Sequence, residues 1–157
     1  MNQRYVSGAI VSDGSEEPVY ARDKELYYQA TTWPGAHLPH VWLGEAGRKI
    51  STLDLAGKGK FTLFTGIGGQ EWAHAIKRIE KDFGLEINVV EVGPGKAYTD
   101  IYGEWAEARE IFDSGCLLVR PDFHVAFRAK HISSTPLQDL SQAFQQILGK
   151  TETVINN

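Results

Sequence analysis

Sulfur is almost absent from this sequence: Cys116 and Met1 are its only cysteine and methionine in 157 residues. A single thiol closes no internal disulfide and makes no Cys-x-x-Cys pair, so a disulfide scaffold and dithiol exchange are both excluded, and a reducing compartment fits. No apolar run approaches the ~18 residues that a membrane span needs, and the polar start Met1-Asn2-Gln3-Arg4 does not read as a secretory signal. Positive charge is neither abundant nor gathered. The 16 Lys and Arg stand against 20 Asp and Glu, a formal net charge of −4, and no basic stripe offers itself to a phosphate backbone. These absences predict a soluble, cytoplasmic protein with neither membrane nor nucleic acid among its partners.

What is present suffices for one folded unit, because an apolar share of 42% in a chain this long buries a core without staples. Residues 1–48 read as an extension. Tyr5–Val11 is a candidate strand, residues 12–18 form an acidic turn, and the aromatic stretch Tyr27–Leu43 carries Pro34 and Pro39, which forbid a regular helix. A proline-fixed aromatic segment lies flat on a surface, either its own domain or a neighbour. Residues 49–150 are regularly punctuated. Phe61–Thr65 is a strand, and Gly66-Ile67-Gly68-Gly69 is a loop. Trp72, Ala75, Ile76, Ile79 and Phe83 then mark one face of a helix closed by Gly84. Leu85–Val92 is a β-branched strand, and Tyr102–Phe112 a helix. Cys116–Arg120 and His124–Arg128 make a hairpin around Pro121-Asp122-Phe123. In the last helix Thr135 is the cap, Pro136 the first residue and Gln138 the capping-box partner. Leu137, Leu140, Phe144, Ile147 and Leu148 are expected inside, with Gly149 at the end and residues 151–157 as a tail. The resulting βαβαββα order predicts an α/β, thioredoxin-like mixed sheet with an N-terminal extension.

Three runs carry a resemblance. Pro34–Leu43, then Ser51–Leu55 ahead of Phe61–Phe64, then Leu118–Arg128 resemble the C-terminal region of phenol and chlorophenol hydroxylases. The likeness spans about residues 5–149. It implies a parent enzyme that uses FAD and NADPH to hydroxylate a phenol, with the flavin site and substrate pocket built by domains N-terminal to this region. It also implies a thioredoxin-like accessory domain, detached here from the chemistry, that packs on those domains and often joins subunits. This chain is then expected to hold no catalytic residue and no cofactor of its own, and to form a homodimer. A free-standing thioredoxin-fold module that recruits a flavoprotein or a small ligand is the alternative.

Other chemistry finds little support in the residues. Gly66-x-Gly68 opens a helix as a dinucleotide-binding turn does, yet the third fingerprint position falls on Glu71, a carboxylate beside the amides that would hold phosphate. His37 and His40 lack a converging third ligand for a metal. Glu104, Glu107 and Glu110 read with Arg109 as a solvated helix face, and His124 and His131 as hairpin or surface residues. The expected docking residues, toward a domain or a second subunit, are Trp33, Pro34, His37, Pro39, His40, Trp42, Arg120, Asp122 and Phe123, since aromatic, proline and arginine anchors concentrate binding energy. Phe123 departs from the hydroxylase pattern that the chain resembles, in which this turn usually ends in glycine; if the corner needs a positive φ, Phe123 either sits in a different turn or is held by packing.

Overall fold

The computed structural model describes residue 32 and residues 34–148. The strand expected at Tyr5–Val11, the acidic turn after it, Trp33, Gly149 and the tail lie outside them. Among the described residues six strands and four helices follow in the order β1 Trp42–Glu45, β2 Arg48–Ser51, α1 Thr52–Leu55, β3 Phe61–Thr65, α2 Gln70–Phe83, β4 Ile87–Glu91, α3 Glu104–Ala108, β5 Cys116–Val119, β6 Val125–Ala129 and α4 Pro136–Leu148. Strands β4, β3, β5 and β6 form one mixed sheet in that order. The pair β3/β4 is parallel, while β3/β5 and β5/β6 are antiparallel. From β3 onward the element order matches the sequence reading.

The sheet is buried on both faces, which is why its central strands are almost wholly apolar. Alternation along β3 sends Leu63 to one side and Phe64 to the other; along β5, Cys116 and Leu118 oppose Leu117 and Val119. On the first side α2 supplies Trp72, Ile76 and Ile79, and α4 supplies Leu140 and Phe144. On the second side lie Leu38, Val41 and Leu43, together with Trp105 of α3. The stretch ahead of residue 48 is therefore built into the core. Arg48, where the extension was expected to end, opens β2 and pairs with Glu45.

Local rules account for the element ends. Ser51 caps α1 with a full capping box, its side chain accepting from Leu53 N–H and Asp54 reaching back to Ser51 N–H. Gly84 closes α2 at φ 68°, the left-handed position foreseen for it. Four details differ from the reading. Strand β4 begins at Ile87, two residues late; Leu85 N–H is still bonded to Glu80 C=O at the end of α2, 3.1 Å away. Helix α3 spans five residues, with Asp100 accepting from the N–H groups of Trp105 and Ala106 and Arg109 ending it. Thr135 donates to Asp139 at 3.1 Å, so Asp139 rather than Gln138 answers the cap. Leu137, expected inside, is 38% exposed, and the buried positions of α4 are Leu140, Ala143 and Phe144.

Candidate functional site

The loop at the carboxyl end of β3 is where a fold of this order would place chemistry, at the end of a parallel pair where ligands gather. Here that end is filled by protein. Thr65 Oγ1 donates to Gly115 C=O at 2.6 Å, and Trp72 Nε1 donates to Ser114 C=O at 2.9 Å, tying the loop to residues 113–115. A Cβ on Gly66 would lie 2.8 Å from Asp113 O and 3.1 Å from Val92 O, and one on Gly69 would strike Thr65 Oγ1. One on Gly115 would meet the carbonyls of Ala129 and Lys130. Gly66 and Gly115 are thus explained by backbone meeting backbone, and Gly69 by the Thr65 side chain beside it. A pyrophosphate seated on the loop would compete with that packing and with Glu71 in the first turn of α2. Cys116 follows directly, fully buried, and burial pushes its thiol pKa far up, a Coulombic push from Asp139 adding to the rise and a hydrogen bond with the Ala129 backbone opposing it.

The aromatic segment has a different geometry. It runs beside β6 as a short added strand: Gly35 N–H donates to Val125 C=O and Val125 N–H to Ala36 C=O, both at 2.8 Å, and Leu38 N–H donates to Phe123 C=O at 2.7 Å. Pro34, Leu38 and Pro39 are buried against this chain's own body. Thr52 Oγ1 fixes the bend, donating to Pro39 C=O and accepting from Val41 N–H. His37 is half-buried, stacked on Phe123 at 5.9 Å and edge-on to His124 at 5.5 Å. His40 instead points its Nδ1 at Ser51 Oγ, 2.7 Å away, and packs edge-on against the exposed ring of Trp42. The two members of the H-x-x-H spacing thus diverge. Among the described residues no three His, Cys, Asp or Glu side chains converge as a metal set.

Phe123 lies between these parts. Its φ is +70°, and its N–H closes the turn onto Arg120 C=O at 2.9 Å. The ring lies on Gly57, where a Cβ would be 2.6 Å from Phe123 Cζ. Packing within the chain holds it, which resolves the anomaly. Asp122 does the work expected of it, accepting from His124 N–H at 3.3 Å, and it also pairs with Arg120 at 2.8 Å. His124 is buried, whereas His131 is exposed and stacked on Phe112 at 4.3 Å.

The acidic helix face resolves differently from the reading. Arg109 pairs with Asp113 at 2.8 Å, and Glu110, beyond the end of α3 at φ +59°, turns inward to the buried Arg128 at 3.1 Å. Thr32 joins them. Its N–H donates to Glu110 Oε1 at 2.9 Å, and its Oγ1 donates to Arg109 C=O and accepts from Arg128. Nothing in the spacing announced this clasp, in which Thr32, Glu110 and Arg128 are 18 to 96 residues apart.

A family model described as the C-terminal part of aromatic-ring hydroxylases matches residues 31–151. The chain belongs to that family. This hydroxylase C-terminal domain is 52% identical over 152 residues to the 2,4-dichlorophenol 6-monooxygenase of Cupriavidus pinatubonensis, covering 96% of the chain and 25% of that enzyme. It is 42% identical to the phenol 2-monooxygenase of a Pseudomonas strain, over 87% of the chain and 22% of the enzyme. Among solved structures it superposes on the flavin-dependent monooxygenase PieE, crystallised with FAD and substrate, with a TM-score of 0.86 at 48% identity. That match covers 93% of the chain and 25% of PieE. The domain spans about a quarter of the length of these relatives. No helix among its described residues is long and apolar enough to cross a membrane.

Proposed function

We propose that this domain serves a FAD- and NADPH-dependent monooxygenase of the chlorophenol-hydroxylating kind as its accessory C-terminal part. It contributes domain and subunit geometry and no reacting group. One observation carries the reading: the loop between β3 and α2 is packed shut by residues 113–115, and the single thiol beside it is buried with its pKa driven up. Both leave the domain without a nucleophile or a phosphate cradle at the end of its parallel strands. The order βαβ, then hairpin, then closing helix supports a thioredoxin-like reading, with glycines standing where such a fold would carry its redox motif. FAD and NADPH then belong to the rest of the enzyme, as does the choice of phenol.

The test uses the purified chain. Incubated with FAD and NADPH and then desalted, it should carry no flavin absorbance and leave phenols unchanged. In sedimentation it should run as a homodimer. Stoichiometric retention of flavin would overturn the reading; a monomer would remove subunit contact from it and leave domain packing.

A further inference from the structure

Alternation in β1 decides which side chains of the aromatic segment meet solvent. Leu43 is fully buried, so Trp42 and Gly44 face outward. Residues 98–101 flank β1 on one side, where Gly44 and Thr99 exchange N–H···O=C bonds of 2.8 and 2.9 Å. On the other side β2 sets Lys49 opposite Gly44. Because Gly44 has no side chain, Ile101 folds over it; a Cβ there would lie 2.9 Å from Ile101 Cγ2. The outcome is an outward face bearing Trp42, Lys49 and Ile101 beside an open hollow of about 370 Å³, with Tyr102 adjoining.

This face is apolar and cationic together. Trp42 is 37% exposed, Ile101 43% and Tyr102 59%, and Lys49 Nζ sits 5.1 Å above the Trp42 ring. Arg48 and Lys96 line the same hollow. Lys96 meets Glu91 at 3.5 Å, but among the described residues neither Arg48 nor Lys49 has an ion-pair partner. The carboxylate next along the chain, Asp100, is held by the N–H groups at the start of α3. Positive charge thus gathers at one place, with Glu45 opposite Arg48 in the strand pair as a neighbouring carboxylate, on a chain whose formal net charge is −4.

We propose that this face docks on the flavin-binding part of the parent hydroxylase, at a surface that offers carboxylates to Lys49 and Arg48 and an apolar recess to Trp42. The inference rests on the accessory-domain reading and names the surface that reading requires. Charge selects the occupant. A second copy seated here across a twofold axis would bring Lys49 and Arg48 against their own images, and like charges brought together oppose association. An acidic surface gains from the same cations, and the relatives have three quarters of their length outside the matched region to supply it.

A hybrid tests it: the 2,4-dichlorophenol 6-monooxygenase of Cupriavidus pinatubonensis carrying these 157 residues in place of its own C-terminal quarter. The unaltered hybrid should retain FAD and resist thermolysin at the junction. Trp42→Ala and Lys49→Glu should each speed junction cleavage about tenfold, the effect of losing one anchor side chain. Lys49→Gln should fall between the parent and Lys49→Glu, and added salt should speed cleavage of the unaltered hybrid. The melting temperature of the isolated chain should not move with either Lys49 change, since that side chain is exposed. If cleavage ignores Trp42→Ala and both Lys49 changes, the face is wrong and the accessory reading stands. If the unaltered hybrid is cut as fast as an undocked tail, or cannot hold flavin, the accessory reading falls and this inference with it.

Discussion

Phe123 pairs an unfavourable backbone with a favourable ring. At φ +70° an L residue gives up on the order of 1 kcal/mol relative to glycine, while its half-buried ring covers Gly57 and stacks on His37. Removing the ring while keeping the Cβ should therefore be worse than removing both. Phe123→Ala should lower stability in urea by about 2 kcal/mol, and Phe123→Gly by about 1 kcal/mol less than that. An alanine variant as stable as the glycine variant would show that the positive φ carries no strain. Cys116 gives a pH prediction with a definite sign. Burial raises its folded pKa, so above about pH 8.5 the unfolded chain sheds a proton that the folded chain keeps. That stabilisation is whole below the unfolded pKa and is lost as pH rises above it. Between pH 8.5 and 10 the native chain should lose stability relative to Cys116→Ala, at up to about 1.4 kcal/mol per pH unit. Urea titrations of both proteins across that range check it; parallel curves would mean that the thiol ionises in the folded state.

At the scale of elements, recognition succeeded where one short-range cause decides. Helix α2 was legible from five apolar positions and a terminal glycine, and the β5/β6 hairpin from Pro121 and Asp122 at its corner. Helix α3 was misjudged because the apolar marks of Ile111 and Phe112 extend a pattern that the backbone abandons at Arg109. From there Glu110 leaves the helix to reach Arg128. That clasp ties the end of α3, strand β6 and Thr32 together, so its loss should be felt across all three. Glu110→Ala takes this carboxylate away from a buried guanidinium and should cost about 3 kcal/mol, whereas the exposed pair Arg78–Asp82 on α2 should cost under 1 kcal/mol when Asp82 becomes Ala. Equilibrium unfolding of the two variants makes the comparison, and equal losses would reduce the clasp to a surface pair.

Across the whole molecule, the two faces of the sheet are covered by different means. Helices α2 and α4 cover one, and the second is closed largely by the segment that precedes residue 48. Leu38, Val41 and Leu43 each bury a full side chain there, at about 2 kcal/mol apiece, and together they rival the 5–15 kcal/mol that separates a folded domain from its unfolded state. The same segment pairs with the start of β6, where the N–H and C=O of Val125 would otherwise be left without strand partners. A chain begun at Lys49 should therefore be insoluble, or collapsed and dye-binding, although it keeps every strand of the main sheet. A soluble, cooperatively melting product would mean that the segment is an appendage.

The sequence by itself determined the succession of elements from β3 to α4, the absence of dithiol chemistry and the family, because each rests on residues close together in the chain: a helical repeat, a turn corner, a missing thiol pair, a short motif. It also drew attention to Trp42 and Phe123. Only the tertiary structure decided their surroundings. The partner of Phe123 is Gly57, 66 residues earlier in the numbering, and the exposure of Trp42 depends on its pairing with β2 and the 98–101 segment. The glycine loop, which in sequence suits a lost redox motif better than a phosphate cradle, is packed against residues 113–115, and no spacing along the chain showed that contact. Contacts between distant positions leave no periodic trace along the chain, so these assignments had to wait for the fold.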